Sequence, residues 1–166
     1  MITINHVLEH LSDPIGSLKH MRNLLVDNGK IIVEVPNLEA TYHSPNKVFH
    51  LGHLYQYNPS TLTALLSKAG FKIIYLSLLK GTQHINVVAE KTAQEITDVI
   101  DKGNVSGLKT FLSSRSILKH YLSPIPYIRF FNKMRIYACE KKYIKPFSDK
   151  IELIRSIPIP KLLSSK

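Results

Sequence analysis

Apolar positions in the chain fall into short blocks whose spacing alternates between two residues and three or four. Ile2 and Ile4 flank the β-branched Thr3, with polar residues directly after, so Met1–Ile4 reads as the end of a short buried strand. Ser12-Asp13-Pro14 is a helix start, in which Asp13 is placed to cap free amides and Pro14 suits the first turn. Ile15, Leu18, Met21, Leu24 and Leu25 then share one helical face, and Asp27-Asn28-Gly29 ends the pattern. Lys30–Val35 is an almost unbroken β-branched run, which predicts a strand covered on both faces, stopped by Pro36-Asn37. A polar loop runs from Leu38 to Tyr57, long enough to suggest function. Asn58-Pro59-Ser60 opens a second helix with Leu62, Leu65 and Leu66 on its buried side, closed by Ala69-Gly70. Phe71–Leu79, a turn at Lys80-Gly81-Thr82-Gln83 and His84–Glu90 form an antiparallel hairpin.

Beyond Lys91 the pattern becomes helical throughout: Ala93–Lys102, Leu108–Leu122 and Tyr127–Lys142, the last two separated by Ser123-Pro124-Ile125-Pro126, with Ile157-Pro158-Ile159-Pro160 as an extended end. Strand, helix, strand, loop, helix, hairpin describes part of an α/β sheet, one crossover unit with parallel strands finished by an antiparallel hairpin. The organisation expected is therefore a partial α/β domain over residues 1–91 and a mainly helical extension over 92–166.

Composition narrows the classes. With 44% hydrophobic and 20% charged residues among 166, the chain is too apolar for disorder. The single cysteine, Cys139, excludes a disulfide framework or a cysteine-built zinc site within one chain. No apolar run reaches the roughly 18 residues of a membrane span, and the first residues lack the features of a signal peptide, so a cytoplasmic protein is expected. The net charge of +10 is unevenly placed: residues 1–91 carry 8 Lys and Arg against 6 Asp and Glu, residues 92–166 carry 14 against 6. Tail cations, among them Lys119, Arg129, Lys133, Arg135, Lys141 and Lys142, interleave with Phe111, Tyr121, Tyr127, Phe130, Phe131, Tyr137 and Tyr143. That mixture suits a peripheral membrane surface, suits single-stranded nucleic acid, and equally describes a helical lid with a solvated face.

Four pieces carry a resemblance. Asn5-His6-Val7-Leu8-Glu9-His10-Leu11-Ser12-Asp13-Pro14, then Leu24–Asn37, then His53-Leu54-Tyr55, then Ala69-Gly70-Phe71 resemble, in order and spacing, the second half of a class I S-adenosylmethionine-dependent methyltransferase. The resemblance implies a doubly wound, Rossmann-like sheet in which Ile2–Ile4 is the fourth strand, Lys30–Val35 the fifth and the hairpin the last two. It also implies S-adenosylmethionine as cofactor and methyl transfer to a small-molecule, sugar or lipid acceptor. The family's glycine-rich turn after the first strand and its acidic second-strand end have no counterpart here, since the seven glycines are scattered singly. The expectation is thus a C-terminal half, a truncated product or one completed by a separately encoded N-terminal half, that by itself neither binds S-adenosylmethionine usefully nor catalyses transfer. A non-enzymatic module binding membrane or nucleic acid through its basic aromatic tail is the alternative.

Candidate residues follow from these positions. By the resemblance, Asn5 and His6 lie at the strand end facing the cofactor's methionine part, and His6 is the catalytic candidate, a neutral imidazole able to accept a proton from an acceptor hydroxyl. His6-Val7-Leu8-Glu9-His10 also matches the H-x-x-E-H zinc-protease motif, but that motif needs a sustained helix, which Ser12-Asp13-Pro14 interrupts. Some relatives carry a Glu-x-x-Glu-His cluster associated with a divalent metal; here His6 replaces the first glutamate while Glu9 and His10 remain, and the pair is expected to orient the loop and hold no metal. His50 and His53 are three apart, yet Leu51, Leu54 and Tyr55 alternate with them, which predicts that the loop packs onto the sheet. By the resemblance this loop helps form the acceptor pocket, which His53 and Tyr55, with Tyr42 and Tyr57, are expected to line.

Overall fold

Ile2–Asn5 (β1), Lys30–Pro36 (β2), Phe71–Leu79 (β3) and His84–Lys91 (β4) form one four-stranded sheet ordered β1-β2-β4-β3 in this computed structural model. The structure describes residues 1–42, 44–79, 83–92 and 103–144, without the side chains of Lys47, Leu79 and Tyr143. His43, residues 80–82 of the hairpin turn, the expected helix at 93–102 and the 157–160 stretch lie outside the described residues. β1 pairs in parallel with β2, with Ile4 opposite Val33, and β4 runs antiparallel to both β2 and β3. The hairpin's second strand therefore lies inside the sheet and its first strand at the edge. β3 carries a bulge between Ile73 and Tyr75, and Ile74, Tyr75 and Leu78 are exposed on it, as an edge strand allows.

Pro14–Leu24 (α1) and Pro59–Lys68 (α2) share a core with one face of the sheet. Asp13 accepts the Gly16 N–H at 2.9 Å, and Asn58 and Thr61 cap each other reciprocally, so both helix starts are fixed by the residues that the sequence nominated. The buried layer comprises Ile4, Ile31, Val33, Val35, Phe71, Ile85, Val87 and Ala89 from the strands, with Leu18, Leu25, Leu62 and Leu66 from the helices and their ends. The expected burial of β2 on both faces holds for one face only: Ile32 and Glu34 are half-buried, because the described helices contribute their core residues to the Ile31–Val33–Val35 side. Leu24 is likewise corrected. It is 69% exposed, since α1 ends there and the backbone turns extended at Leu25, which takes the buried position instead.

Gly70 closes α2 with φ +85°, a conformation that a side chain resists, and a Cβ there would come within 2.6 Å of Arg22 Nε. Arg22 uses this space to donate to the carbonyls of Gly70 and Thr92 at 3.1 and 2.6 Å, tying α1 to the ends of α2 and β4.

The chain divides into two compact units, Met1–Ser123 and Pro124–Lys166. The first includes Asn104–Ser114 (α3) and Ile117–Leu122 (α4). The single helix expected over 108–122 is broken at Arg115-Ser116, both extended, where serines compete for helical backbone groups. In the second unit Ile125–Ile144 (α5) begins inside the expected Ser-Pro-Ile-Pro separator, because proline suits a first helical turn. Tyr127, Phe130, Phe131, Met134 and Tyr137 are exposed along it. No helix among the described residues is long and apolar enough to cross a membrane.

Candidate functional site

The sheet brings three chain segments to one edge. β1 and β2 are parallel, so their carboxyl ends coincide, and the antiparallel β4 starts at the same edge. His6 follows β1 with φ 53°, Glu34 lies near the end of β2 opposite Asn5, and His84 opens β4 opposite Pro36. His6 Nε2 is 3.0 Å from Glu34 Oε1, and the His6 and His84 rings meet edge to face at 4.8 Å. With Nε2–H donating to Glu34, the His6 Nδ1 lone pair faces Glu9 Oε1 at 3.5 Å, beyond hydrogen-bond length.

A short 3-10 turn, Leu8–His10, carries Glu9 inward. Glu9 is 1% exposed, and neither carboxylate oxygen has a hydrogen-bond partner. Such a group is costly to bury alone, and the residues around it explain its retention. His10 Nδ1 donates to the Gly52 carbonyl at 2.7 Å, which in the neutral imidazole leaves the lone pair on Nε2, 3.9 Å from Glu9 Oε1. His53 packs edge to face on His10 with centroids 4.9 Å apart. Glu9, His10 and His53 each offer a ligand atom, all within 4.8 Å of one another, and His6, Glu34 and His84 form a second such group.

The loop is clamped onto this turn by backbone. Glu9's carbonyl accepts from the N–H groups of Leu54 and Tyr55 at 2.8 and 3.1 Å, Tyr55 Oη donates to the Ser12 carbonyl, and Tyr57 Oη donates to the Leu8 carbonyl. This anchoring corrects the expected packing of Leu51, Leu54 and Tyr55 onto the sheet. His50 and His53 line the cleft while those three side chains are exposed, because the loop is held through its backbone and His10 instead of its apolar groups.

The result is a cleft of about 380 Å³. His6, Glu9, His10, His50, His53 and His84 supply its chemistry, with Pro36, Asn37, Ala40, Val48, Gln56 and Gln83 completing the wall. Of the residues nominated from sequence, His6, Glu9, His10 and His53 line it; Asn5, at the exposed end of β1, and Tyr55 do not. Tyr57 is buried beneath, and burial, then the neighbouring Tyr55 and Glu9, push its phenol well above the usual range. Glu34 and His84 were missed. The available signal for Glu34 was a lone charge near the end of an apolar strand.

Burial holds the imidazoles of His53 and His84 below their usual value, in each case as the largest cause and against an opposing pull from Glu9. Both stay neutral and able to donate a lone pair. A histidine depressed in the folded state is protonated more readily when unfolded, so its stability contribution is complete above pH 6.5 and lost as pH falls through the folded values. Thermal melting is expected to be level above pH 6.5 and to decline below it, and a double His53→Gln, His84→Gln variant to flatten that decline.

A family model described as Methyltransferase domain matches residues 1–76. No curated protein matches the chain.

Proposed function

We propose, from the premise that residues 1–76 form a class I methyltransferase-like domain, that the histidine–glutamate cleft is the acceptor side of an S-adenosylmethionine-dependent methyl-transfer site. The observation that carries this reading is the position of the cleft, at the carboxyl edge of two parallel strands, where open α/β sheets bind their ligands. In this reading Asn5 and His6 meet the donor. Bound S-adenosylmethionine would supply an electrophilic methyl group.

In this reading His6 Nδ1 takes the proton from an acceptor hydroxyl while Glu34 holds the opposite N–H and fixes the tautomer. The imidazolium so formed lies between the carboxylates of Glu34 and Glu9, 3.0 and 3.5 Å away, which stabilise it. No Gly-x-Gly sequence occurs in the 166 residues, so in this reading the wall that cradles the donor's methionine part is supplied from outside these residues. Two samples test this. Protein captured from its own cells with whatever it binds is expected to move labelled methyl from S-adenosylmethionine to a hydroxylated acceptor, and absence of transfer rejects the reading. The purified 166-residue chain is expected to show no low-micromolar binding of S-adenosylmethionine, and such binding rejects the one-walled cleft.

The orphaned Glu9 carboxylate, with unprotonated His10 Nε2 and neutral His53, fits a divalent transition metal, for which two nitrogens and one oxygen are an ordinary donor set. A metal there would supply Lewis acidity to an acceptor oxygen. Glu9→Leu is expected to raise the stability of chelator-treated protein by about 1–3 kcal/mol, since it removes a buried, unpaired polar group. The same change should abolish any rise in melting temperature on adding Zn²⁺ or Mn²⁺, as differential scanning fluorimetry would show.

A second reading rests on α5, whose exposed Tyr127, Phe130, Phe131 and Tyr137 accompany Arg129, Lys133, Arg135, Lys141 and Lys142. This surface suits an anionic membrane or RNA. Steep salt dependence with single-stranded RNA but not with anionic vesicles selects the nucleic acid.

A further inference from the structure

Polar side chains meet where β1 and β2 end and β4 begins. In the ladder Glu34 stands opposite Asn5 of β1 and Asn86 of β4, and His84 stands opposite Pro36. Glu34, Pro36, His84 and Asn86 alternate with the fully buried Val33, Val35, Ile85 and Val87, so they share the face opposite the buried layer. Their backbone is fixed. The His6 N–H donates to the Glu34 carbonyl and the Asn37 N–H to the Gln83 carbonyl, both at 2.9 Å. The side chains, in contrast, are short of partners. His84 Nδ1 and Asn86 Nδ2 are buried with no hydrogen bond among the described residues. So are both Glu9 oxygens, one of them 3.5 Å from His6 Nδ1. Buried polar atoms left unpaired are uncommon, and a cluster of them marks a place for another kind of partner.

We propose that His6, Glu34 and His84 hold a divalent ion of the zinc class, at a site distinct from the Glu9, His10 and His53 group. Their ligand atoms lie within 4.8 Å of one another, and side-chain rotation brings such atoms to the roughly 2.0–2.2 Å at which zinc is bound. Two imidazoles and one carboxylate form the donor set of open zinc sites, whereas magnesium and calcium favour shells of oxygen. Loading moves the His6 proton from Nε2, which takes the ion, to Nδ1, which then donates to Glu9; a carboxylate behind a ligating histidine orients it and raises its basicity. Glu9, with two oxygens, thus serves both groups, and its replacement by leucine weakens both. His6 and His84 line the cleft, which gives the ion its way in. A loaded His6 has no lone pair left for a proton, so the ion is an inhibitor of methyl transfer. That consequence rests on the reading of His6 as proton acceptor, and the binding itself does not.

The experiment dialyses the chelator-treated full chain against micromolar Zn²⁺ and counts bound ions per chain. His84→Gln is expected to hold one ion fewer than the unsubstituted chain. Glu34→Gln, nearly the same in shape and still able to meet His6, should weaken that ion's binding by more than about tenfold, and it carries the test should His84→Gln not fold. His53→Gln is the counterpart, expected to leave this ion in place. Equal counts in the unsubstituted chain and a folded His84→Gln overturn the proposal. So does the loss of one and the same ion from both His84→Gln and His53→Gln, since the histidines would then share a single site. These counts need no donor. Zinc binding that depends on His84, in a protein whose captured form transfers no labelled methyl, rejects the acceptor reading and leaves the metal site standing, and transfer without such binding does the reverse.

Discussion

His6→Asn is expected to slow methyl transfer by the captured protein about 10²- to 10⁴-fold, the usual contribution of a positioned proton acceptor. Asparagine is the informative replacement because position 6 has φ 53°, a left-handed conformation that asparagine tolerates better than most residues. Folding should therefore be preserved while the imidazole is lost. Glu34→Gln should cause a smaller loss and move the pH profile, since the carboxylate 3.0 Å from Nε2 acts through the tautomer and charge of His6. If His6→Asn leaves the rate of labelled-methyl transfer within a factor of two, His6 does not take the proton.

The second large effect concerns the frame that carries the site. Phe71, fully buried at the start of β3, packs in the core shared by α2 and the central strands. Phe71→Ala is expected to destabilise the first unit by about 3–5 kcal/mol through lost transfer free energy and the cavity left behind. Against a typical total of roughly 5–15 kcal/mol, that is enough to lower the urea midpoint sharply. Leu24→Ala is the control: Leu24 is 69% exposed, and its loss should change stability by less than about 0.5 kcal/mol. Equal effects of the two substitutions would mean that the buried face of the domain has been misassigned.

Other features of the cleft respond to separate measurements, and together they distinguish a site from a coincidence of histidines. The pH dependence of melting reports His53 and His84. Metal-dependent melting reports Glu9. Each reads a different part of the same 380 Å³ cleft.

Local chemistry made the frame legible from sequence. Asp13-Pro14 and Asn58-Pro59 announce helix starts that the structure reproduces as capped ends, because an N-cap depends on a few neighbouring residues. The β-branched run from Ile31 to Val35 likewise marks a strand, without saying which of its faces is the better covered. Which hairpin strand lies inside the sheet was not legible, nor that β2 is fully buried on one face only. Those outcomes depend on partners distant in the chain.

The candidate site divides along the same line. His6, Glu9, His10 and His53 could be singled out as candidates, since side-chain chemistry and motif spacing are properties of the sequence. Their assembly was not. Glu34 and His84 join His6 only because β1 and β2 run parallel while β4 returns antiparallel to the same edge. The outward turn of Leu51 and Leu54 follows from hydrogen bonds to Glu9 and His10, more than 40 positions earlier. Alternation in the sequence could say that histidines and leucines face opposite ways, and only the tertiary clamp decided which of them line the cleft.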